Sequence, residues 1–384
     1  MTRQSIKGRD ASRGDVLTVH FEDGYIAAVE RKHDPNASDL PVLASGFVDA
    51  QVNGYMGMDV NAPDADSTVI EGITGELARI GVTTWVPTII TASEEAISHA
   101  LRCVEKARNA DARVRDAIPC VHVEGPFISD HDGARGVHDA SQVRAIDPEE
   151  VRRWAAITRI GVVTVSPHWP DTPRAIEEIC SMGIRVSIGH THAGAAEVLS
   201  AIDAGASLST HLGNGIAAMI PRHPNAIWTQ LADDRVTCGL IADGHHLPPE
   251  TIEVMLRAKG PRGAFLVSDT TAIAGNAPGR YETPVGGSVD LDEHGRLSYV
   301  GTELLAGAAA SLPDGLRNVV RSTSVSLGQA LKLVTENPAR SLPGARPGLG
   351  TLQPGAPADM VLVSDSGAVL EVIRSSARME NIRP

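Results

Sequence analysis

Apolar and polar residues alternate with period two through residues 15–31 (DVLTVHFEDGYIAAVER), on either side of the polar turn Glu22-Asp23-Gly24. That pattern predicts a β-hairpin. The segment 350–363 (GTLQPGAPADMVLV) has similar β character, with a Pro-Gly turn between short runs. Two such pieces flanking the middle of the chain predict one small β-sandwich assembled from both ends, residues 1–44 and 345–384. Between them, β-branched runs alternate with helix-period stretches such as 94–110 and 148–157. Eight strands are expected at 46–52, 83–90, 118–125, 161–168, 184–190, 206–212, 237–244 and 264–270. Eight right-handed βα units close most economically as a (β/α)8 TIM barrel, here over residues 45–344. Renewed alternation over 281–303 reads as an inserted hairpin turning at Asp292-Glu293-His294-Gly295, followed by two late helices over 312–324 and 327–342.

Four of these strands end on residues that can do chemistry: Glu124 (IPCVHVEG), His190 (IRVSIGH), His211 (SLSTHL) and Asp269 (AFLVSDT). A parallel barrel gathers its strand C-termini on one face, so positions 124 and 269 can meet in one cleft. One Glu and two His make three ligands with a fourth position open to water, the pattern of a hydrolytic metal site. Asp269 then becomes the proton-transfer residue. Each group alone has a plainer reading: a Glu paired with Arg on a loop, a core histidine bonded to a carbonyl, an Asp capping the next helix. For Glu124 and the two histidines the set, at matching strand ends, favours the metal; for Asp269 both readings stay open at this point. His192, two positions after His190, reads as orienting a neighbour.

Composition narrows the partners. The chain has 384 residues and a net charge of −13, with no basic excess to neutralise nucleic-acid phosphates. No apolar run approaches a membrane span, and the polar start MTRQSIKGRD is not expected to be a secretory signal. Cys103, Cys120, Cys180 and Cys238 lie far apart without a CxxC pair, as expected of reduced thiols in a cytoplasmic protein. Aromatic residues are only 3%, so aliphatic packing must carry the core, and no aromatic platform for bases or sugar rings is evident.

The motifs VHVEGPFIS, IGHTHAGAAE, STHLGN, IADGHHL and LVSDTTAIAG, in this order and spacing, resemble the N-acetylglucosamine-6-phosphate deacetylase family of the amidohydrolase superfamily. The likeness runs from about Gly46 to the late GTLQPGAPADMVLV. It implies a barrel with a β-sandwich, one divalent ion per chain (zinc, with iron, manganese or cobalt as alternatives) on Glu124, His190 and His211, and a homodimer. It further implies an amino-sugar phosphate substrate that loses acetate. Under the same resemblance, His138 in GARGVHDA supplies a donor to the reacting carbonyl. Asn214, Gly215 and Arg222 bind the phosphate, the arginine through its planar fork. His246 contacts the sugar, with His245 as the adjacent alternative.

The chain departs from the pattern in three places. Many amidohydrolases carry His-x-His after the first barrel strand and hold a second metal there; this sequence reads Asp49-Ala50-Gln51-Val52-Asn53. Neutral amides are poor zinc ligands, so a single metal is expected, with Gln51 lining the site by hydrogen bonding. Gly213-Asn214-Gly215-Ile216 replaces the usual aromatic-Asn-Ala-Met, and SPHWPD (166–171) replaces a more usual acidic turn. These changes fall in loops around the substrate. They leave open the galactosamine isomer, an N-acyl amino acid, or a sugar-phosphate sensor without catalysis.

Overall fold

The computed structural model describes residues 4–283 and 287–374. Of the expected terminal domain, residues 1–3 and 375–384 lie outside the described residues, as do 284–286 of the expected hairpin.

All eight barrel strands form: β1 (Phe47–Val52), β2 (Val82–Ile90), β3 (Val121–Glu124), β4 (Ile160–Val165), β5 (Arg185–Ile188), β6 (Leu208–Ser209), β7 (Thr237–Ile241) and β8 (Ala264–Val267). They lie in chain order in one sheet, each parallel to its neighbours. The seam between β8 and β1 closes just past the last strand. Val52 bridges Thr270 in parallel, the Asp269 N–H donates to Gln51 O at 3.0 Å, and the Asn53 N–H donates to Thr270 O at 2.9 Å. Beneath these, the Ser268 N–H donates to Asp49 Oδ1 at 3.1 Å.

Period-two packing is visible in the two sides of each strand. Val48, Ala50, Phe265 and Val267 fill the barrel interior, while Phe47, Val52, Ala264 and Leu266 pack outward with the helices. A helix follows every strand in turn, beginning with Ser67–Arg79 and ending with Leu312–Ser322. Their starts carry side-chain caps that satisfy otherwise orphaned N–H groups, as when Ser93 accepts from Ala96 and Asp147 from Glu149. Several strands stop earlier than the sequence pattern suggests. β4 ends before Ser166-Pro167, because proline cannot donate to the ladder. β6 keeps only two residues because the chain turns at once toward His211. The second late helix divides into Leu327–Leu333 and Glu336–Ser341; Pro338 lacks the N–H and crowds the carbonyl four residues back, so a continuous helix is not possible.

The ends of the chain share one six-stranded sheet, in which Met360–Val363 pairs antiparallel with Val42–Ser45. Its two faces go to different cores. Leu43, Met360 and Leu362 join Leu17, Val19 and Phe21, whereas Val42, Ala44, Val361 and Val363 merge into the barrel's outer core. The expected inserted hairpin is a three-stranded meander, Gly279–Thr283, Gly287–Leu291 and Leu297–Tyr299, with its own small core around Ile273 and Val289.

Candidate active site

Glu124, His190, His211 and Asp269 meet at the C-terminal mouth of the barrel, although they come from β3, β5, β6 and β8. Glu124 is the last residue of its strand; each of the others stands a position or two beyond the end of its own. His190 (φ 45°), His211 (φ 30°) and Asp269 (φ 52°) all adopt left-handed backbone, which non-glycine residues rarely do. The sharp turn swings each side chain off the sheet and into the mouth. Such strain concentrates where function over-determines the geometry.

Glu124 Oε1 is 3.0 Å from His211 Nε2 and 3.3 Å from His190 Nε2, and the two Nε2 atoms are 3.0 Å apart. Donors about 2.0–2.2 Å from one tetrahedral ion would stand roughly 3.3–3.6 Å from each other, so this triangle is close to a ligand face. The His190 tautomer agrees. His190 Nδ1 donates to the Ala134 carbonyl at 3.0 Å, which leaves the lone pair on Nε2. Two buried imidazole nitrogens facing one another repel unless a proton or a cation lies between them. The donor set therefore fits a divalent cation. His138 stands beside it, its ring 4.3 Å from that of His190 and edge-on, with one nitrogen close enough to Glu124 and His190 to count in the same cluster.

Gln51 and Asn53 occupy the place where a His-x-His pair would stand, and both turn their amide N–H groups to the carboxylates. Gln51 Nε2 donates to Glu124 Oε1 at 3.0 Å and to Asp269 Oδ1 at 2.9 Å. Asn53 Nδ2 donates to the same Asp269 oxygen at 2.9 Å. Among the described residues only Oδ1 of the Asp269 carboxylate is hydrogen-bonded, which leaves Oδ2 available to a substrate. Burial and the Glu124 charge push Asp269 up to about 6, against the pull of His211 and Asn53. Burial with Glu124 at hand has a different outcome for His211: desolvation is the largest single influence and works against the imidazolium, but the Glu124 hydrogen bond and the Glu124 and Asp269 charges together outweigh it and raise the group to about 8.

A cavity of about 740 Å³ opens over this floor, lined by Glu124, His138, His190, His211, His246 and Asp269. Asn214 and Gly215 also reach it. Gly215 lies against the His190 ring, where an added Cβ would come within 2.8 Å of Nδ1, so only glycine allows the segment to seat there. Sequence reasoning missed several supports. Thr91 Oγ1 bonds His138 Nδ1 at 2.8 Å, and Asp243 Oδ2 accepts from His246 Nδ1 at 2.7 Å. Burial alone would raise Asp243, but His246 and the backbone N–H groups of residues 245 and 246 hold it down at about 2. An acid three residues before His246 was a readable signal; nothing in the sequence pointed to Thr91. The wall formed by Tyr281, Glu282 and Thr283 of the meander was likewise unforeseen.

Arg222 is the clear exception among the expected site residues. It is exposed on the segment after Asn214 and does not line the cavity. Among the described residues that line the cavity there is no Lys or Arg at all. The reason is local: past Gly215 the chain leaves the barrel mouth and runs outward before the helix Ala226–Ala232. His192 is also absent from the floor and faces the outer rim, where its Nδ1 lies 2.6 Å from Ser129 Oγ. His245 turns away too, bonded to the His294 carbonyl.

The amidohydrolase family model matches residues 42–379, which is most of the chain and all eight barrel strands. The chain belongs to the amidohydrolase family. An N-acetylgalactosamine-6-phosphate deacetylase of Escherichia coli O157:H7 is 30% identical over 360 residues, covering 92% of each chain. An N-acetylglucosamine-6-phosphate deacetylase of Bacillus subtilis (strain 168) is 30% identical over 370 residues, 93% of this chain and 91% of the other. Among solved structures, a mutant N-acetyl-D-glucosamine-6-phosphate deacetylase of Mycobacterium smegmatis in complex with N-acetyl-D-glucosamine-6-phosphate superposes with a TM-score of 0.85 at 26% identity, covering 96% and 95% of the two chains. No helix among the described residues is long and apolar enough to cross a membrane.

Proposed function

We propose that this chain hydrolyses the acetamide of an N-acetylated hexosamine 6-phosphate, with N-acetylglucosamine 6-phosphate giving glucosamine 6-phosphate and acetate. The observation that carries the reading is the triangle of Glu124, His190 and His211 donors with the Asp269 carboxylate beside it. One divalent ion per chain, zinc before iron, manganese or cobalt, is held by those three residues. When bound it supplies Lewis-acid activation of water and of the amide carbonyl.

The chain's own residues do the rest. Asp269, positioned by Gln51 and Asn53 through one oxygen, takes a proton from the attacking water on the other. His138, anchored at Nδ1 by Thr91 Oγ1, donates an Nε2–H to the carbonyl oxygen as negative charge develops there, in the tautomer for which Thr91 turns its hydroxyl from the Glu124 carbonyl to Nδ1. Burial and the neighbouring His190 hold His138 down at about 3, so the ring is a neutral donor at pH 7. As the C–N bond breaks, Asp269 returns its proton to the leaving nitrogen, and acetate and the free amine depart.

His246, held by Asp243, faces the sugar, while Asn214 and Gly215 bound the side toward the phosphate. Arg222 reads the phosphate only if its segment moves inward or a second copy presents it. The homodimer is favoured because Met219 (88% exposed), Ile220 and Trp228 display apolar surface around Arg222. Four unpaired thiols support action in the cytoplasm. The galacto isomer is a second reading, because relatives of both names match equally well. Acetate release from N-acetylglucosamine 6-phosphate, its galacto isomer and the unphosphorylated sugar tests the deacetylation, the choice of isomer and the need for phosphate. No release from either phosphorylated sugar would overturn the reading.

A further inference from the structure

Four rings stack along the outer rim of the barrel, away from the catalytic floor. The His131 and His192 centroids are 3.7 Å apart and nearly parallel, His192 and His168 are 4.2 Å apart, and His168 and Trp169 are 4.4 Å apart. They belong to the loops after β3, β4 and β5. Asp130 faces the stack, with Oδ1 3.7 Å from His168 Nε2 and 3.9 Å from His131 Nε2. One ligand atom each from Asp130, His168 and His192 lie within 4.8 Å of one another.

The hydrogen bonds around the stack prepare a lone pair on His168. Ser166 Oγ donates to Thr191 Oγ1 at 2.8 Å, so its 2.6 Å contact with His168 Nδ1 is one it accepts. That places the His168 proton on Nδ1 and leaves Nε2 bare. Nε2 is nevertheless buried and has no hydrogen-bond partner among the described residues, which is costly for a polar atom. His192 is anchored at Nδ1 by Ser129 Oγ at 2.6 Å, a hydroxyl that also accepts from the His131 N–H at 3.0 Å; its Nε2 is a ligand in the tautomer that puts the proton on Nδ1. An acceptor that holds the proton on one imidazole nitrogen and frees the other is how a metal-binding histidine is supported, and Ser166 is such an acceptor for His168.

We propose that Asp130, His168 and His192 form a second cation site at the rim, which takes a borderline divalent ion such as Zn²⁺, Ni²⁺ or Cu²⁺, with water completing its coordination. Two imidazoles and one carboxylate select such ions over Mg²⁺ or Ca²⁺. The exposed Asp130 makes it the weaker, exchangeable site. Its occupation ties three βα loops together. One of them also reaches the floor, since the Ser129 N–H donates to the His190 carbonyl at 2.8 Å.

The test uses the tag-free full chain with its deep centre filled and excess metal removed, titrated with Ni²⁺ at neutral pH by calorimetry and tryptophan emission. About one further ion should bind per chain, quenching Trp169; Trp169→Phe should keep the uptake and lose that part of the quench. Ser166→Ala should weaken uptake by about 10–100-fold, and His168→Gln or Asp130→Asn by at least as much. Asp130 is exposed, so its variant stays informative if a His168 variant misfolds. His190→Ala, which disables the deep centre, should leave rim uptake unchanged, so the rim site and the proposed deacetylase chemistry can fail separately. A folded wild-type chain that takes up no Ni²⁺, or uptake unaffected by both His168→Gln and Asp130→Asn, would show the stack to be packing alone.

Discussion

The floor of the cavity and the segment Gly213–Asn225 were both expected to hold ligand-binding residues, yet they are built differently. On the floor, Glu124, His190, His211 and Asp269 come from four strands whose mutual placement is set by barrel closure, and they are cross-tied by Gln51 and by the Ala134 carbonyl. Along the segment, only Asn214 and Gly215 remain with the floor, and Arg222 stands in solvent. Strand ends inherit the precision of the sheet. A loop residue is positioned only by what packs on its own segment, and a chain seen singly need not supply that.

The largest effect should therefore come from the floor. His190→Ala or His211→Ala removes one of three ligands, and bound divalent ion should fall from about one tightly held per chain to nearly none, with acetate release lost as well. Elemental analysis after dialysis checks this. Two tightly held ions in the wild type would break the single-ion reading, whereas the exchangeable rim ion should be gone after dialysis.

Asp269→Asn comes next. It preserves shape and the hydrogen bonds accepted from Gln51 and Asn53 but removes basicity, so turnover should fall by about 10²-fold or more while the ion stays bound. The wild-type pH profile should agree. Asp269 acts when ionised, so kcat/KM should decline as pH falls through about 6, or through a lower value once a nearby cation favours the carboxylate. Near-normal kcat in the variant would move the general base elsewhere.

The smallest effect belongs to the segment. Arg222→Ala should raise KM for a phosphorylated sugar by about ten- to hundredfold, the worth of a charge-assisted bond of roughly 1.5–3 kcal/mol. Activity on the unphosphorylated sugar should barely change. Equal losses on both would assign Arg222 to folding or assembly, and no loss on either would leave the phosphate to Asn214 and backbone groups.

The same contrast explains what could be read in advance. Eight β-branched runs with intervening helical patterns are enough for a barrel, and a chemical residue at a strand end is placed by that barrel without knowledge of any loop. Gln51 was legible as a non-ligand because an amide binds zinc poorly, but its bridging of two carboxylates depends on the seam between β8 and β1. Thr91 and the meander wall were out of reach, since a hydroxyl contact at 47 residues' separation leaves no periodic trace. The SPHWPD turn could be seen as unusual, while its ring stack with His131 and His192 appeared only once three loops were placed together.

The left-handed backbone at His190, His211 and Asp269 has a consequence for how this protein can be improved. Each such residue is estimated to cost on the order of 1–3 kcal/mol, and glycine at the same position would relieve it. A search for thermally hardier variants that ignored catalysis would thus be drawn to the three positions the enzyme can least spare. Stability gained there would measure how much the native fold gives up to keep its chemistry in place.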